Sequence, residues 1–355
     1  HDMLDKPIVD SYKSYTRRRN RVFIVLILTL LLTSAISLSL GSSNMSLADL
    51  VSALSGNEES TNSTIIWHIR FPRIIGAVLA GWALAMSGVV LQCILHNPLA
   101  SPYTLGISQG AAFGAALAIT VIGFQPTEVN SAILNFLSLG TGFFAFLGAS
   151  ATTCVLLILS QKRKLSSEAI ILSGVALSAL ASAGTMMIQY FASDIEVASI
   201  VFWTFGDVSR ASWKDLSLVA IFLLPSFIYF MLNRWNMNAI MEGAEVAKTL
   251  GVNAEKMIKI NIMLAALVTS LVVATFGVIG FIGLAAPHIT RLLVGGDHRH
   301  LLPQSCITGA LLLLVSDTIA RNILSPVVLP VGIITSFMGA PLFLYMLMKG
   351  GNRKF

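Results

Sequence analysis

Apolar residues run along this chain in long blocks, and the polar positions gather in the short stretches between them. Windows of roughly 20 residues, the length a helix needs to cross a bilayer, place such blocks at 22–42, 74–95, 104–123, 132–160, 168–191, 214–233, 257–276, 278–295, 303–323 and 331–348. The pattern predicts an all-α, polytopic membrane protein with about ten transmembrane helices over 22–348, an N-terminal tail over 1–21 and a C-terminal tail over 349–355. The first block has no small-residue cleavage site after it and is expected as a retained helix; His1-Asp2 ahead of Met3 reads as a cloning remnant.

Composition agrees, since 55% of the residues are hydrophobic and 11% charged, more apolar surface than a soluble domain of 355 residues buries. Charge then orients the bundle, because cationic loops are retained in the cytoplasm. With the N-terminus inside, 18 of the 23 Lys and Arg residues fall on cytoplasmic segments. Arg70, Arg73, Arg210, Lys214 and Arg321 remain outside, joined there by Asp49, Glu58, Glu59, Glu128, Asp194, Glu196 and Asp207. Both termini are therefore expected in the cytoplasm, and the net charge of +6 reads as topology, not as a nucleic-acid surface.

Small residues recur at intervals of four, at Ala77, Gly81 and Ala85 and at Gly106, Gly110 and Gly114, the spacing of close helix packing in lipid. Two stretches break the apolar pattern. His96-Asn97-Pro98-Leu99-Ala100-Ser101-Pro102 and Gly277 to His288 both predict non-helical backbone, which at membrane depth survives only under protein cover or along a water-filled cavity. The longest internal cytoplasmic segment, 236–256, predicts one or two short amphipathic helices with turns or caps at Gly243 and Gly251. By itself it is equally a solvated connector.

Arg70-x-Pro72-Arg73, Gly88, Gln92, Asn97-Pro98-Leu99-Ala100-x-Pro102 and Leu105-Gly106 open a signature that continues through Gly280-Phe281-Ile282-Gly283-Leu284, Pro287-His288-x-x-Arg291, Gly296-Asp297-His298-Arg299, Asp317-x-x-x-Arg321, Leu329-Pro330-Val331-Gly332-Ile333-x-Thr335 and Gly339-Ala340-Pro341-x-Phe343. Over about 65–347 the order and spacing resemble the iron-chelate and cobalamin family of ATP-binding-cassette (ABC) importer permeases. The resemblance implies the type II importer permease fold and a pathway formed with a second permease copy or homologue. It also implies two cytoplasmic ATPase subunits as partners, together with an extracytoplasmic substrate-binding protein. The cargo it implies is a metal chelate, ferric siderophore first, with heme or cobalamin next. An ion-gradient-driven secondary transporter is the alternative; it calls for an intramembrane carboxylate or relay, and the blocks offer Asp317 near an end.

The resemblance also assigns residues. Glu242, Gly243, Glu245, Ala247, Leu250 and Gly251 are similar to coupling helices that seat on an ATPase, although relatives often carry a second acid at the place of Ala244. Arg70, Arg73 and Arg321 fall where relatives meet glutamates of the binding protein; for Arg321 an i,i+4 pair with Asp317 is the internal alternative. Ser173, Ser178, Ser182, Thr185, Met186 and Gln189 would line the path, unless the hydroxyls bond back to their own helix. The stretch 195–205 resembles a short external gating helix, and Val328 stands where relatives place a glutamate.

No phosphate-cradling GxxxxGK[ST] motif occurs, so ATP and Mg are expected on the partner and no cofactor on this chain. His288, His298 and His300, and the cysteines at 93, 154 and 306, lack ligand spacing, so no metal site is expected.

Overall fold

A computed structural model describes residues 2–40, 61–121, 140–163, 166–210 and 212–350. Asp49, Glu58, Glu59, Glu128, Lys164, Arg353 and Lys354 lie outside them. Among the described residues the order is α1 (Asp2–Ser39), α2 (Thr61–Ile65), a π-helical turn (Ile66–Arg70), α3 (Phe71–Ile94), α4 (Ile107–Val121), α5 (Gly140–Arg163), α6 (Ser167–Phe191), α7 (Asp194–Thr204), a 3-10 turn (Val208–Arg210), α8 (Trp213–Leu232), α9 (Arg234–Met241), α10 (Ala244–Thr249), α11 (Ala254–Phe276), α12 (Ile282–Val294), α13 (His298–Asn322) and α14 (Val331–Gly350). Among the described residues seven helices are long and apolar enough to cross a membrane, and Ile107–Thr120, Ile282–Val294 and Val331–Leu342 are shorter apolar stretches. The ten expected blocks thus appear as seven long helices and three shorter ones. This is an all-helical, multi-pass membrane protein.

The ends of the helices follow local chemistry. Ser193 with Glu196 and Ser212 with Asp215 form capping boxes that start α7 and α8. Ser166, Asn253 and Asp297 cap α6, α11 and α13 through their side chains.

Several boundaries move from the expected ones. The tail expected over 1–21 is the first part of α1. The last-but-one span starts at His298, with Pro303 inside the helix, not at 303. Of the break expected over Gly277 to His288, only 277–281 stays out of α12, because Gly277 and Phe281 take positive φ and Val278 pairs with Phe205 as a parallel bridge; the helix runs on through Pro287. At 1.5 Å per residue the 13 residues of α12 reach roughly 20 Å, short of the ≈30 Å apolar core.

The core is built around α3. In its most apolar window 78% of residues are buried, against 6% in α1 and 11% in α6. Helix α3 packs on α13, α11 and α12, while α4 packs on α5 and α6. The small residues set these distances: a Cβ on Gly81 would sit 2.3 Å from the Gly309 carbonyl oxygen, and one on Gly110 would sit 2.7 Å from that of Gly148. No side chain fits in either place, so the backbones themselves are in contact.

Candidate functional site

Two polar clusters occupy opposite ends of the bundle. At one end α1 finishes, α3 starts, and α7, the 276–281 stretch and the α13–α14 turn meet. At the other, rich in Lys and Arg and hereafter the basic end, lie the start of α1, the end of α3, α9 and α10.

At the first end Asp317 of α13 is fully buried. Arg73 donates to its Oδ1 from Nε at 3.0 Å and from a terminal nitrogen at 2.8 Å, and reaches Oδ2 from Nε at 3.1 Å. Arg321, one turn on, places its Nε 3.3 Å from the second oxygen. Asp207 adds a longer contact to Arg73 at 3.8 Å. Arg70 donates to the carbonyl of Leu38 at 2.6 Å, and Arg321 to those of Ser37 at 3.2 Å and Leu40 at 3.4 Å. The C-terminal turn of a helix leaves carbonyls without intrahelical donors and carries partial negative charge. Arg70 and Arg321 supply both needs for α1.

Arg70, Arg73 and Arg321, the arginines expected to meet the binding protein, thus have internal partners as well. Arg70 is 5% exposed and Arg73 8%, because each guanidinium is turned inward onto a carboxylate or a helix end. Arg210, also at this end, donates to the carbonyls of Phe202, Trp203 and Phe205 and so ties down the end of α7. Val328 is half-exposed on the α13–α14 turn.

At the basic end the predicted segment forms α9 and α10 with a break at Gly243, whose φ of +114° only glycine takes readily. Glu242, Glu245 and Gly251 are exposed, Leu250 is 67% exposed and Ala247 is buried. Helix α9 is the opposite in character: Met237, Ala239 and Ile240 are buried. The Cys93 thiol donates to the Met237 carbonyl at 3.4 Å and His96 Nε2 to that of Ile240 at 2.7 Å. An exposed foot thus stands on a fixed base.

Beside it, Asp297 accepts from Asn238 at 2.9 Å, from the Arg299 side chain at 2.8 Å and from Arg19 at 3.3 Å. Burial pushes its carboxyl pKa up, but the hydrogen bonds from Arg299 and Asn238 outweigh that and hold it well below the usual carboxylate range. Asn238 and Arg19 escaped the sequence reading. The available signal was Asp297 itself, an acid preceded by two glycines at the start of a helical run, which is an N-cap pattern.

On α6, Leu172, Val175, Leu180, Met186, Met187 and Tyr190 make up the exposed face. Ser178, Ser182, Thr185 and Gln189, at i, i+4, i+7 and i+11, share its half-buried edge, whereas Ser173 falls on the other edge. Ser173, Ser178 and Thr185 bond back to carbonyls of their own helix. An apolar cavity of about 270 Å³ lies between α12, α13 and α14, lined by Phe281, Ile282, Leu312, Thr335 and Met338 among others.

Known proteins similar to this chain match it over most of its length. A protein of Methanocaldococcus jannaschii named as an ABC transporter permease protein is 49% identical over 342 residues, covering 96% of this chain and 98% of its own. The hemin transport system permease protein of Yersinia pestis is 37% identical over 328 residues, 91% of this chain and 96% of its own. A solved structure described as an inward-facing conformation of a metal-chelate type ABC transporter superposes with a TM-score of 0.81 at 32% identity, over 93% of this chain and 99% of that one. The profile of the FecCD transport family matches residues 28–349, so the chain belongs to that family.

Proposed function

We propose that this chain is the permease subunit of a binding-protein-dependent ABC importer for a metal chelate, ferric siderophore first, with heme or cobalamin next. The carrying observation is the foot at the basic end: α10 presents Glu245 and Leu250 outward from a buried α9, on a bundle that belongs to a permease family. The basic end faces the cytoplasm in this reading, following the distribution of Lys and Arg. Two ATPase subunits, holding ATP and Mg, would close against Glu242, Gly243, Glu245, Ala247, Leu250 and Gly251. A second permease copy or homologue would cover exposed faces such as that of α6, with Ser178, Ser182, Thr185, Met186 and Gln189 along the cargo path.

The opposite end would receive an extracytoplasmic binding protein. There Arg70, Arg73 and Arg321 shape the docking surface from beneath, by holding α1, α3 and α13 together. The gradient-driven alternative is disfavoured by the same cluster. Asp317, the acid it would use, is buried and clamped by two guanidinium groups.

Leu250→Glu combined with Glu245→Lys should abolish co-purification of the ATPase while the permease keeps its elution position and melting temperature. Full retention of the ATPase would remove the assignment of α10.

A further inference from the structure

A carboxylate that merely caps a helix needs one oxygen and one backbone N–H. Asp297 does this for α13, accepting from the Arg299 backbone at 3.0 Å and from the side chain of the same residue, yet two further partners come from remote parts of the chain. Arg19 lies 278 positions away and Asn238 59. The Asn238 amide is used on both sides: its nitrogen donates to Asp297, and its oxygen accepts from the His298 backbone at 2.9 Å and lies 2.8 Å from His298 Nδ1. Gln304 donates to the carbonyl of Arg19 at 3.2 Å, a second tie between α1 and α13. Gly295, at φ +82°, leaves room for this junction, since a Cβ there would meet both Arg19 and Tyr15 at 3.1 Å.

We infer that Asp297 is a positioning residue for transport. Through Asn238 and Arg19 it fastens α9, the base of the ATPase foot, and the N-terminal half of α1 to the α12–α13 turn, so that the three move as one body when the ATPases act. The inference rests on the permease reading above. Motion passes between distant sites through packed elements and hydrogen-bond chains, and charge-assisted bonds are the stronger links in such a chain. Here a push on α10 reaches α9 across Gly243. Cys93 and His96 hold α9 to α3, and Asn238 holds it to Asp297 and so to α13.

The test uses the permease with its ATPase, spin-labelled at Met241→Cys and Leu292→Cys on a Cys154→Ser background. The distance between labels is measured with no nucleotide and with ADP–vanadate. The unmodified joint should give one narrow distance, unchanged by nucleotide. Asn238→Asp, which sets two carboxylates together, should broaden the distribution and make it shift by about 2 Å on trapping, the size of an ordinary helix slide. The reciprocal pair Asn238→Asp with Asp297→Asn keeps one acid and one amide across the same bond and should restore the narrow distance. A nucleotide-dependent distance in the unmodified joint, or an unaltered one in Asn238→Asp, would overturn the inference. Failure of any ATPase to co-purify with the unmodified chain would count against the permease reading instead.

Discussion

Removing one member of the Arg73–Asp317 pair should damage the fold more than any effect on a binding partner. Asp317 is fully buried and the Arg73 side chain is 9% exposed, so each stripped charge is left in a dry site. Breaking a buried pair costs about 3–5 kcal/mol. The order among variants follows from the contacts. Asp317→Asn leaves Arg73 and Arg321 facing each other without their shared anion and should be worst. Arg73→Ala leaves Asp317 the single Arg321 contact at 3.3 Å and should come next. Arg73→Lys keeps the charge, loses the two-pronged geometry and should be mildest. Arg73→Met with Asp317→Leu removes both charges, and Arg321 retains the carbonyls at the end of α1, so most of the loss should be recovered. Thermal unfolding in detergent, followed by the monodisperse fraction on size exclusion, measures all four. Equal losses in the double and the worst single variant would refute the pairing argument. Capture of the binding protein by the double variant should also be retained; its loss would point to direct docking by Arg73.

Replacing Gly81 by Val should separate α3 from α13 and cost more than about 4 kcal/mol, the range of severe core overpacking, read as loss of folded protein in membranes, because the new Cβ would sit 2.3 Å from the Gly309 carbonyl oxygen. The stability advantage of the unmodified chain over Asp297→Asn should be pH-dependent in one direction. The folded carboxyl lies below the ordinary aspartate value, so the advantage is complete above a pH of about 3.9 and falls as pH drops through the lowered pKa. Melting temperatures from pH 8 down to pH 3 check this, and an advantage already lost at pH 6 would contradict it. Arg321→Gln should cost about 1–2 kcal/mol in the same unfolding assay, less than Arg73→Ala, since Asp317 keeps its bidentate partner.

The bundle was legible because its signals are local. Long apolar blocks mark the spans, the spacing of Ala77, Gly81 and Ala85 marks a packing face, and Gly243 and Gly251 mark the foot. The break before α12 was legible but not its extent: it was expected over Gly277 to His288, and only Gly277 to Phe281, which pairs with Phe205 across the fold, stays out of the helix. Arg321 and Asp317 sit one helical turn apart, so their pair could be read from spacing. Arg73 and Asp317 are 244 positions apart, and no local pattern joins them. Thus five cations on the acidic side could be counted, but not the helix end and buried acid that three of them serve. Asn238 was hidden for the same reason. It is an ordinary polar residue on a short helix until α13 brings Asp297 beside it.

The most direct measurement is uptake of a radiolabelled ferric siderophore into proteoliposomes holding this chain with its ATPase and the loaded binding protein outside, with hemin and cobalamin as parallel cargoes. Accumulation of one of the three that requires internal ATP and stops with vanadate is the predicted result. Uptake by this chain alone, insensitive to vanadate and abolished by an ionophore, would contradict it.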